Sequence, residues 1–261
     1  MFRVLLVLKK RIIPTLLIKG ASLVKGVAFD SWRVVGTALP AITVFNSREV
    51  DELILLDINA TNEGLEPDYF SIQEFASNCF VPLTIGGGVN RLNHIEKLLR
   101  AGADKIVVNT VCYNNPKFVS EAAKTFGSQC IVASVDYAAG KSNDLYCFSN
   151  SGTNSIKRDP ILWARELESL GAGEIMLTRI EYDGLMKGYD LDTLRRVCEQ
   201  VNLPVIVSGG AGTYAHLIEA LEEGASAVAA ASIFQFTDST PLEAKKLIEA
   251  AGLPVRKTLI S

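Results

Sequence analysis

The sequence of 261 residues predicts an α/β protein, a single (β/α)8 TIM barrel built from two duplicated half-barrels. The first observation behind this prediction is an internal repeat, since residues 82–89 (PLTIGGGV) recur as residues 204–211 (PVIVSGGA). Glu52 and Glu174 are separated by the same offset, so the repeat extends well beyond one motif. The second observation is that short apolar runs alternate with amphipathic segments of helical length. Such alternation predicts parallel βαβ units, and eight of them close into a barrel.

Eight apolar, β-branched runs are the predicted strands. They cover residues 11–18, 53–58, 82–85, 105–109, 130–135, 174–178, 204–207 and 227–231. The connectors over residues 93–101 and 214–223 carry apolar residues at helical spacing. No stretch rich in proline, glycine, serine or charge separates two cores. We therefore expect one domain over residues 1–261, with half-barrels over about 11–125 and 126–250.

Composition narrows the classes of function. The formal net charge of −3, without a basic cluster, argues against nucleic acid as a main partner. The five cysteines show no CxxC spacing, so a reducing cytoplasm is the simplest compartment, and neither a metal site, a cofactor nor thiol catalysis is predicted. His94 and His216 fall in helical connectors, which argues against histidine catalysis. The apolar run at residues 1–8 is too short for a signal peptide, and no segment reaches the roughly 20 apolar residues of a membrane span.

Glycine and small polar residues gather after the predicted strands, where barrels of this type carry their active sites. Each repeat has a glycine pair after one strand and a second pair of small residues after the next. The first set is Gly87, Gly88, Asn109 and Thr110, and the second is Gly209, Gly210, Ala231 and Ser232. Glycine-rich turns beside helix starts offer backbone N–H groups to phosphate, which predicts an elongated ligand with a phosphate at each end. The alternative is that these glycines only permit tight turns.

Several of these motifs occur together in one known family. From residue 10 almost to the C-terminus, the sequence resembles the cyclase subunit of imidazole glycerol phosphate synthase, the HisF family. The matching segments include LVKG at residues 23–26, DEL at 51–53, GAGE at 171–174, GYD at 188–190 and SGGAG at 208–212. The isomerase of the preceding histidine-pathway step shares the phosphate glycines, whereas GYD and GAGE favour the cyclase.

The resemblance implies an assembly of two proteins. A HisH-like glutaminase would dock on the bottom of the barrel to form a heterodimer, and its ammonia would pass through the barrel to a phosphorylated small molecule at the top. The family's charged gate at the bottom entrance falls on Arg11, Glu52, Lys105 and Glu174. Asp104 beside this gate would be a docking contact. Without the family, the same four charges can be read as ion pairs that tie the bottom rim together.

The resemblance also implies roles at the top of the barrel. Lys25 matches a lysine on a flexible loop after the first strand, where it can follow a phosphorylated substrate. Thr178 ends the sixth strand and can contact substrate, and Asp183 and Gly184 join the phosphate-binding positions. The alternatives are a solvated loop lysine and an ordinary β-branched strand residue.

One position departs from the family pattern. Cyclisation in the family uses one carboxylate at the top of the first strand and another at the top of the fifth. Asp136 supplies the second, but Leu17 stands at the first. Leucine transfers no proton, and a positioned acid–base group contributes on the order of 10²–10⁴-fold in rate. A substitute such as Asp57 or Asp183 would have to be re-aimed from another strand, so ordinary cyclase turnover is not expected.

A retained gate with one catalytic carboxylate missing is similar to the HisF paralogues found with surface-polysaccharide genes. There the barrel and its glutaminase supply ammonia to a separate sugar amidotransferase that converts an N-acetyl group into an acetamidino group. This ammonia-supplying role is the leading hypothesis. One alternative is a genuine cyclase, a lyase of histidine biosynthesis with rearranged acid–base residues. Another is a phosphate-binding scaffold without enzymatic activity.

Overall fold

The computed structural model describes residues 8–140 and 144–257, and the N-terminal run over residues 1–7 lies outside this part of the chain. The strands are β1 (Arg11–Lys19), β2 (Ser22–Val27), β3 (Asp30–Thr37), β4 (Leu53–Asp57), β5 (Leu83–Gly86), β6 (Lys105–Val108), β7 (Ile131–Ala139), β8 (Leu145–Ser149), β9 (Asn154–Ile156), β10 (Glu174–Arg179), β11 (Val205–Ser208) and β12 (Ala227–Ala230). The α-helices are α1 (Ala38–Ser47), α2 (Ala60–Glu63), α3 (Tyr69–Ser77), α4 (Leu92–Arg100), α5 (Thr110–Asn114), α6 (Lys117–Phe126), α7 (Pro160–Ser169), α8 (Leu191–Gln200), α9 (Tyr214–Glu222), α10 (Ser232–Phe236) and α11 (Pro241–Ala250).

Eight parallel strands close into a barrel in the order β1, β4, β5, β6, β7, β10, β11 and β12. Two pairings complete the ring. Arg11 at the start of β1 is in register with Ala227 of β12, and Glu174 at the start of β10 is in register with Val132 of β7. The predicted (β/α)8 barrel is thereby confirmed, and each predicted strand coincides with one of these eight.

Two antiparallel hairpins that the sequence did not predict extend the barrel at the carboxyl ends of its strands. β2 and β3 continue from β1, and β8 and β9 continue from β7. Lys25 lies on β2 and is only 2% exposed, so the expectation of a flexible loop lysine is wrong. The reason is that the neighbouring residues Leu23 and Val24 are buried as well, and that Lys25 pairs with Arg33 of β3, which fixes its position in the hairpin.

Side chains at the helix starts show why the outer layer forms where it does. The Asp159 carboxylate accepts the backbone N–H groups of Ile161 and Leu162, and Pro160 takes the first position of α7, where no N–H bond is lost. Asp190 caps α8 with the same kind of contact. Within the described residues, no helix combines the length and the apolar character needed to cross a membrane.

The barrel interior is built by alternation along the strands, because successive side chains point to opposite faces. On β1, Ile13 faces the barrel axis, whereas Ile12 and Leu16 pack in the core beneath the helices. The inward-facing apolar residues form what we call the apolar layer, which consists of Ile13, Ile54, Val107, Val132, Met176, Ile206, Ala227 and Ala229. This layer lies between charged residues at the amino ends of the strands and a polar mouth at their carboxyl ends.

A buried ion pair joins the C-terminal helix to the amino end of the barrel. Lys245 of α11 lies 2.6 Å from the Asp51 carboxylate, and both side chains are almost fully buried. The same ammonium donates to the Glu49 carbonyl, and the second Asp51 oxygen accepts the N–H of Ile12 on β1. The pair therefore fixes the last helix against the first strand.

Replacing Lys245 with methionine keeps the side-chain length but leaves the Asp51 carboxylate buried without its cation. We expect a loss of about 3–5 kcal/mol in the free energy of unfolding, measured by urea denaturation. The matched control is Lys246→Met, because Lys246 is the exposed neighbour on the same helix and its replacement should change stability by less than about 0.5 kcal/mol. Equal losses of stability in the two variants would contradict a stabilising role for the ion pair between Lys245 and Asp51.

Candidate functional site

A cavity of about 510 Å³ opens at the carboxyl ends of the barrel strands. Its volume falls within the range of roughly 300–1,000 Å³ that is usual for small-molecule sites. The structure brings every residue predicted for the top of the barrel to its wall: Leu17, Lys25, Gly87, Gly88, Asn109, Thr110, Asp136, Thr178, Asp183, Gly184, Gly209, Gly210, Ala231 and Ser232. Their assembly in one cavity agrees with the predicted site, while their individual roles stay predictions.

Asp136 lies on β7, which continues past it into the hairpin with β8 instead of ending before it. Its carboxylate accepts hydrogen bonds from the Ser134 hydroxyl at 2.8 Å and from the Asn109 side-chain amide at 3.2 Å. Burial raises the pKa of Asp136 to about 6, against the hydrogen bond from Ser134 and with the help of the negative charge of Asp183. A carboxyl group with this pKa can hold or release a proton near neutral pH.

Asp183, in the loop after β10, and Lys25 on β2 form an electrostatic pair in the cavity wall. Burial raises the pKa of Asp183, and the positive charge of Lys25 opposes that shift. Burial lowers the pKa of Lys25, and the charge of Asp183 opposes it in turn. One buried oxygen of Asp183, Oδ2, has no hydrogen-bond partner among the described residues. This oxygen has almost no accessible surface, so it is an unsatisfied acceptor behind the cavity wall.

Leu17 makes one part of the cavity wall apolar. It lies on β1 in register with Val24 of β2 and Leu56 of β4, and it is 8% exposed. Asp57, at the end of the neighbouring strand β4, accepts hydrogen bonds from the backbone N–H groups of Asn59 and Ala60 and so stabilises the turn that follows β4. Neither residue supplies a free proton-transfer group at the top of β1.

The glycine pairs are required by close backbone packing. A Cβ atom on Gly87 would lie 2.2 Å from the carbonyl oxygen of Asp57, and one on Gly210 would lie 2.0 Å from that of Gly188. Both glycines also have positive φ angles. The tight-turn interpretation therefore accounts for the glycines, and a phosphate role would come in addition to it.

The two histidines hold these glycine turns from outside the cavity. The ring Nδ1 of His94 bonds to the Gly88 carbonyl at 3.2 Å, and Nδ1 of His216 accepts the N–H of Gly212 at the same distance. Neither imidazole lines the cavity. Their positions on α4 and α9 follow the sequence duplication, and they contact backbone instead of the mouth.

Sequence reasoning missed several residues of the cavity wall. Trp32 and Phe29 reach the cavity because β2 and β3 fold over it, and no strand pattern in the sequence had indicated that hairpin. Ser134 lies two residues before Asp136 on β7, so strand periodicity could have placed it on the same face. Thr15 lines the cavity floor below Leu17, and its buried hydroxyl has no partner among the described residues.

At the opposite end of the barrel, the four predicted gate residues form a closed ring of ion pairs. Arg11 donates to Glu52 at 2.8 Å and to both oxygens of Glu174 at 3.1 and 2.7 Å. Lys105 donates to Glu52 at 2.9 Å and to Glu174 at 2.8 Å. Each cation therefore bridges both carboxylates. The Thr84 hydroxyl donates a further hydrogen bond to Glu52 at 2.6 Å. We call this set the charged ring.

The two cations and the two carboxylates of the charged ring neutralise one another at the bottom of the barrel. Burial acts against the charged form of Glu174, but its hydrogen bond to Arg11 and the charges of Arg11 and Lys105 outweigh burial and lower its pKa. Asp104 is exposed beside the ring, where its carboxylate accepts the N–H of Leu83 at 2.8 Å. That bond gives Asp104 a structural role at the start of β5, whether or not it also contacts a partner.

Two comparisons with known proteins decide the family. A sequence profile of the histidine biosynthesis protein family matches residues 11–240. The chain belongs to this family. It is also 42% identical over 249 residues to a Campylobacter jejuni protein provisionally named imidazole glycerol phosphate synthase subunit hisF2, with 95% of this chain and 99% of that protein covered. The predicted resemblance to HisF is confirmed, and the barrel is a HisF-like member of the histidine biosynthesis protein family.

Among the described residues, no group of three or more His, Cys, Asp or Glu side chains is placed to hold a metal ion. The five cysteines are free thiols. Burial raises the pKa of Cys112 to about 12 and that of Cys198 to about 11, so these two thiols stay protonated at neutral pH.

Replacing Glu174 with glutamine should leave Arg11 and Lys105 short of one carboxylate and destabilise the fold by a few kcal/mol at neutral pH. Because the folded-state pKa of Glu174 is lowered, its stabilisation is present above the ordinary glutamate pKa and is lost as pH falls through the lowered value. The difference in unfolding free energy between wild type and variant should therefore shrink below about pH 4. Urea denaturation at several pH values measures it.

The control for this series is Glu199→Gln on the exposed face of α8, which replaces a solvent-exposed carboxylate with a neutral amide. It should change stability by less than about 0.5 kcal/mol at every pH. A Glu174→Gln variant as stable as this control would mean that the charged ring contributes no net stability.

Proposed function

We propose that this chain is a HisF-like synthase subunit that pairs with a HisH-like glutaminase and passes ammonia through its barrel. The ammonia serves the acetamidino modification of an N-acetyl sugar in surface-polysaccharide biosynthesis, carried out by a separate sugar amidotransferase in the cytoplasm. The observation that carries the proposal is Leu17, which stands in the mouth where cyclisation needs a carboxylate. The barrel has retained its charged ring and Asp136 without that group.

The order of residues along β1 supports passage along the barrel axis. From the bottom upward, its inward side chains are Arg11 in the charged ring, Ile13 in the apolar layer, then Thr15 and Leu17 at the cavity. An apolar layer favours neutral ammonia, because moving a charged ammonium ion into apolar surroundings costs far more free energy. The layer would therefore deliver ammonia and hold back hydrated ions.

The charged ring supplies the gate in this proposal. Arg11 is held by paired bonds to Glu174, and its planar guanidinium makes that geometry rigid. Lys105 makes single bonds on a flexible stem, so it is the cation that can swing aside at the lowest cost. Docking of the glutaminase on this face, with the exposed Asp104 at its edge, would provide the free energy for that movement.

The mouth would hold a phosphorylated ligand. The two sets of glycines lie on its wall together with the starts of α5 at Thr110 and α10 at Ser232. Lys25 adds a buried cation to the same wall. These features support anion binding at the mouth, and the duplication accounts for two such positions.

A genuine cyclase, a lyase of histidine biosynthesis, is the second candidate, and one observation favours it. Asp136 keeps a pKa near neutrality, and Asp183 is close enough to influence that pKa while one of its own oxygens lacks a partner. Two carboxylates remain in the mouth even without an aspartate at the top of β1. On this reading the second proton-transfer group would be Asp183, which approaches from β10 instead of β1.

The two candidates separate on the activity of Leu17→Asp. With ammonium in excess and the bisphosphorylated histidine-pathway substrate, the proposal predicts no measurable turnover by the wild-type barrel. It predicts a gain on the order of 10²–10⁴-fold in Leu17→Asp, since that is what a positioned acid–base group contributes. The turnover rate is measured as the increase in absorbance of the imidazole product.

Leu17→Asn is the matched control, because asparagine has the shape of aspartate without its proton transfer. It should stay inactive, and Asp136→Asn should abolish whatever Leu17→Asp gains. Robust turnover by the wild-type barrel that falls in Leu17→Asp would overturn the proposal in favour of the cyclase.

A further inference from the structure

Two hairpins extend over the mouth of the barrel from strands on opposite sides of the ring. β2 and β3 continue from β1, and β8 and β9 continue from β7. In the closed ring, β1 and β7 are four strands apart in either direction, so the two hairpins start across the mouth from each other. A contact between their tips therefore spans the mouth.

The turn between β8 and β9 lies over one half of the ring. Its Ser151 hydroxyl donates to the carbonyl of Ile58, which follows β4, at 2.7 Å. Its Asn150 N–H donates to the hydroxyl of Thr110, two residues after β6, at 3.0 Å. Both turn residues line the cavity. This turn is thus held over the strands β4, β5 and β6, which carry the first glycine set.

The hairpin of β2 and β3 lies over the other half of the ring. The Ala28 N–H in its turn donates to the carbonyl of Asp183, in the loop after β10, at 2.9 Å. The Arg33 guanidinium on β3 lies 4.8 Å from the centroid of the Phe236 ring, in the helix after β12. This hairpin is thus held over the strands β10, β11 and β12, which carry the second glycine set.

The tips of the two hairpins meet at Phe29 and Gly152. A Cβ atom on Gly152 would lie 2.9 Å from Cδ2 of the Phe29 ring and 3.5 Å from the Phe29 Cβ atom. The ring therefore occupies space that is open only because residue 152 has no side chain. Phe29 also lines the cavity below this contact. The contact completes a connection from β1 to β7 that passes between the two glycine sets.

The backbone at the first tip is unfavourable for phenylalanine. Val27 pairs with Asp30, so Ala28 and Phe29 form a two-residue hairpin turn, with φ angles of 50° and 59°. Asparagine and glycine are the usual residues in such turns. Five of the seven non-glycine residues with positive φ in the described part of the chain lie in or next to the two turns: Ala28, Phe29, Ser31, Asn150 and Ser151. Backbone strain of this kind gathers at ligand clamps and switch regions.

We propose that Phe29 and Gly152 form a clasp, which opens to admit a ligand to the mouth and closes over it. Because the clasp passes between the two glycine sets, a ligand that reaches both sets lies beneath it. The contact across the mouth accounts for an aromatic residue in a turn that disfavours it. The clasp is independent of the reaction that the barrel serves, since both candidate functions use the same cavity.

A reversible crosslink tests the clasp, because the 3.5 Å between the two Cβ positions suits a disulfide. The double variant Phe29→Cys, Gly152→Cys would be locked when oxidised and free when reduced. A third change, Ser208→Cys in the cavity wall, reports access through its rate of labelling by fluorescein maleimide. Peptide mass spectrometry separates this label from the five native thiols. Oxidation should almost abolish labelling at residue 208, and reduction should restore it.

The control for access is Lys246→Cys on the exposed face of α11, whose labelling should not respond to the crosslink. Equal labelling at residue 208 in the oxidised and reduced proteins would contradict the clasp.

Phe29→Gly tests the clasp without a crosslink and suits the backbone of the turn, because glycine adopts positive φ freely. It should speed labelling of Ser208→Cys roughly tenfold, as loss of an aromatic contact predicts. Val34→Ala, an exposed change on the same hairpin, should leave the rate unchanged. If the double variant fails to fold or to oxidise, Phe29→Gly decides alone. A rate in Phe29→Gly no faster than with Phe29 in place, or an equal increase in Val34→Ala, would overturn the clasp.

Discussion

Closure of the parallel barrel is the constraint on which the rest of the molecule depends. Pairing of β1 with β12 and of β7 with β10 fixes which side chains point to the axis. On β1 that constraint places Arg11, Ile13, Thr15 and Leu17 one above another, from the bottom rim to the mouth. The polarity of the interior therefore changes from charged to apolar to mixed along a single strand, and the proposed path for ammonia follows from strand geometry.

The two ends of the barrel use buried charge in different ways. At the bottom, two cations and two carboxylates satisfy one another, and the pKa of Glu174 is lowered as a result. At the mouth, no cation of residues 8–140 or 144–257 lies at hydrogen-bond distance from Asp136, and burial raises its pKa to about 6. A closed, self-neutralised ring suits a gate, whereas a carboxyl group that titrates near neutrality suits contact with a ligand.

The barrel itself could be predicted from the sequence, because each strand is an apolar run bounded by turns and the duplication repeats the pattern. The position of the charged ring at the bottom rim could also be predicted, since Arg11, Lys105 and Glu174 begin strands, whereas a gate role is implied only by the family resemblance and stays a prediction. The hairpin of β2 and β3 could not, because most of β3 is exposed and carries no clear apolar alternation. For that reason Lys25 was expected on a loop, and the position of Trp32 at the cavity was missed. The glycine turns were located correctly, but their packing against carbonyl oxygens shows that position alone does not establish a phosphate role.

Transfer of nitrogen from glutamine tests the central claim most directly. A complex of this chain with the proposed HisH-like glutaminase would receive amide-¹⁵N glutamine, an N-acetyl sugar acceptor system and a large excess of unlabelled ammonium. Passage through the barrel predicts an acetamidino product that retains ¹⁵N despite the unlabelled pool. Label diluted to the level of the bulk ammonium, or found in an imidazole product, would contradict it.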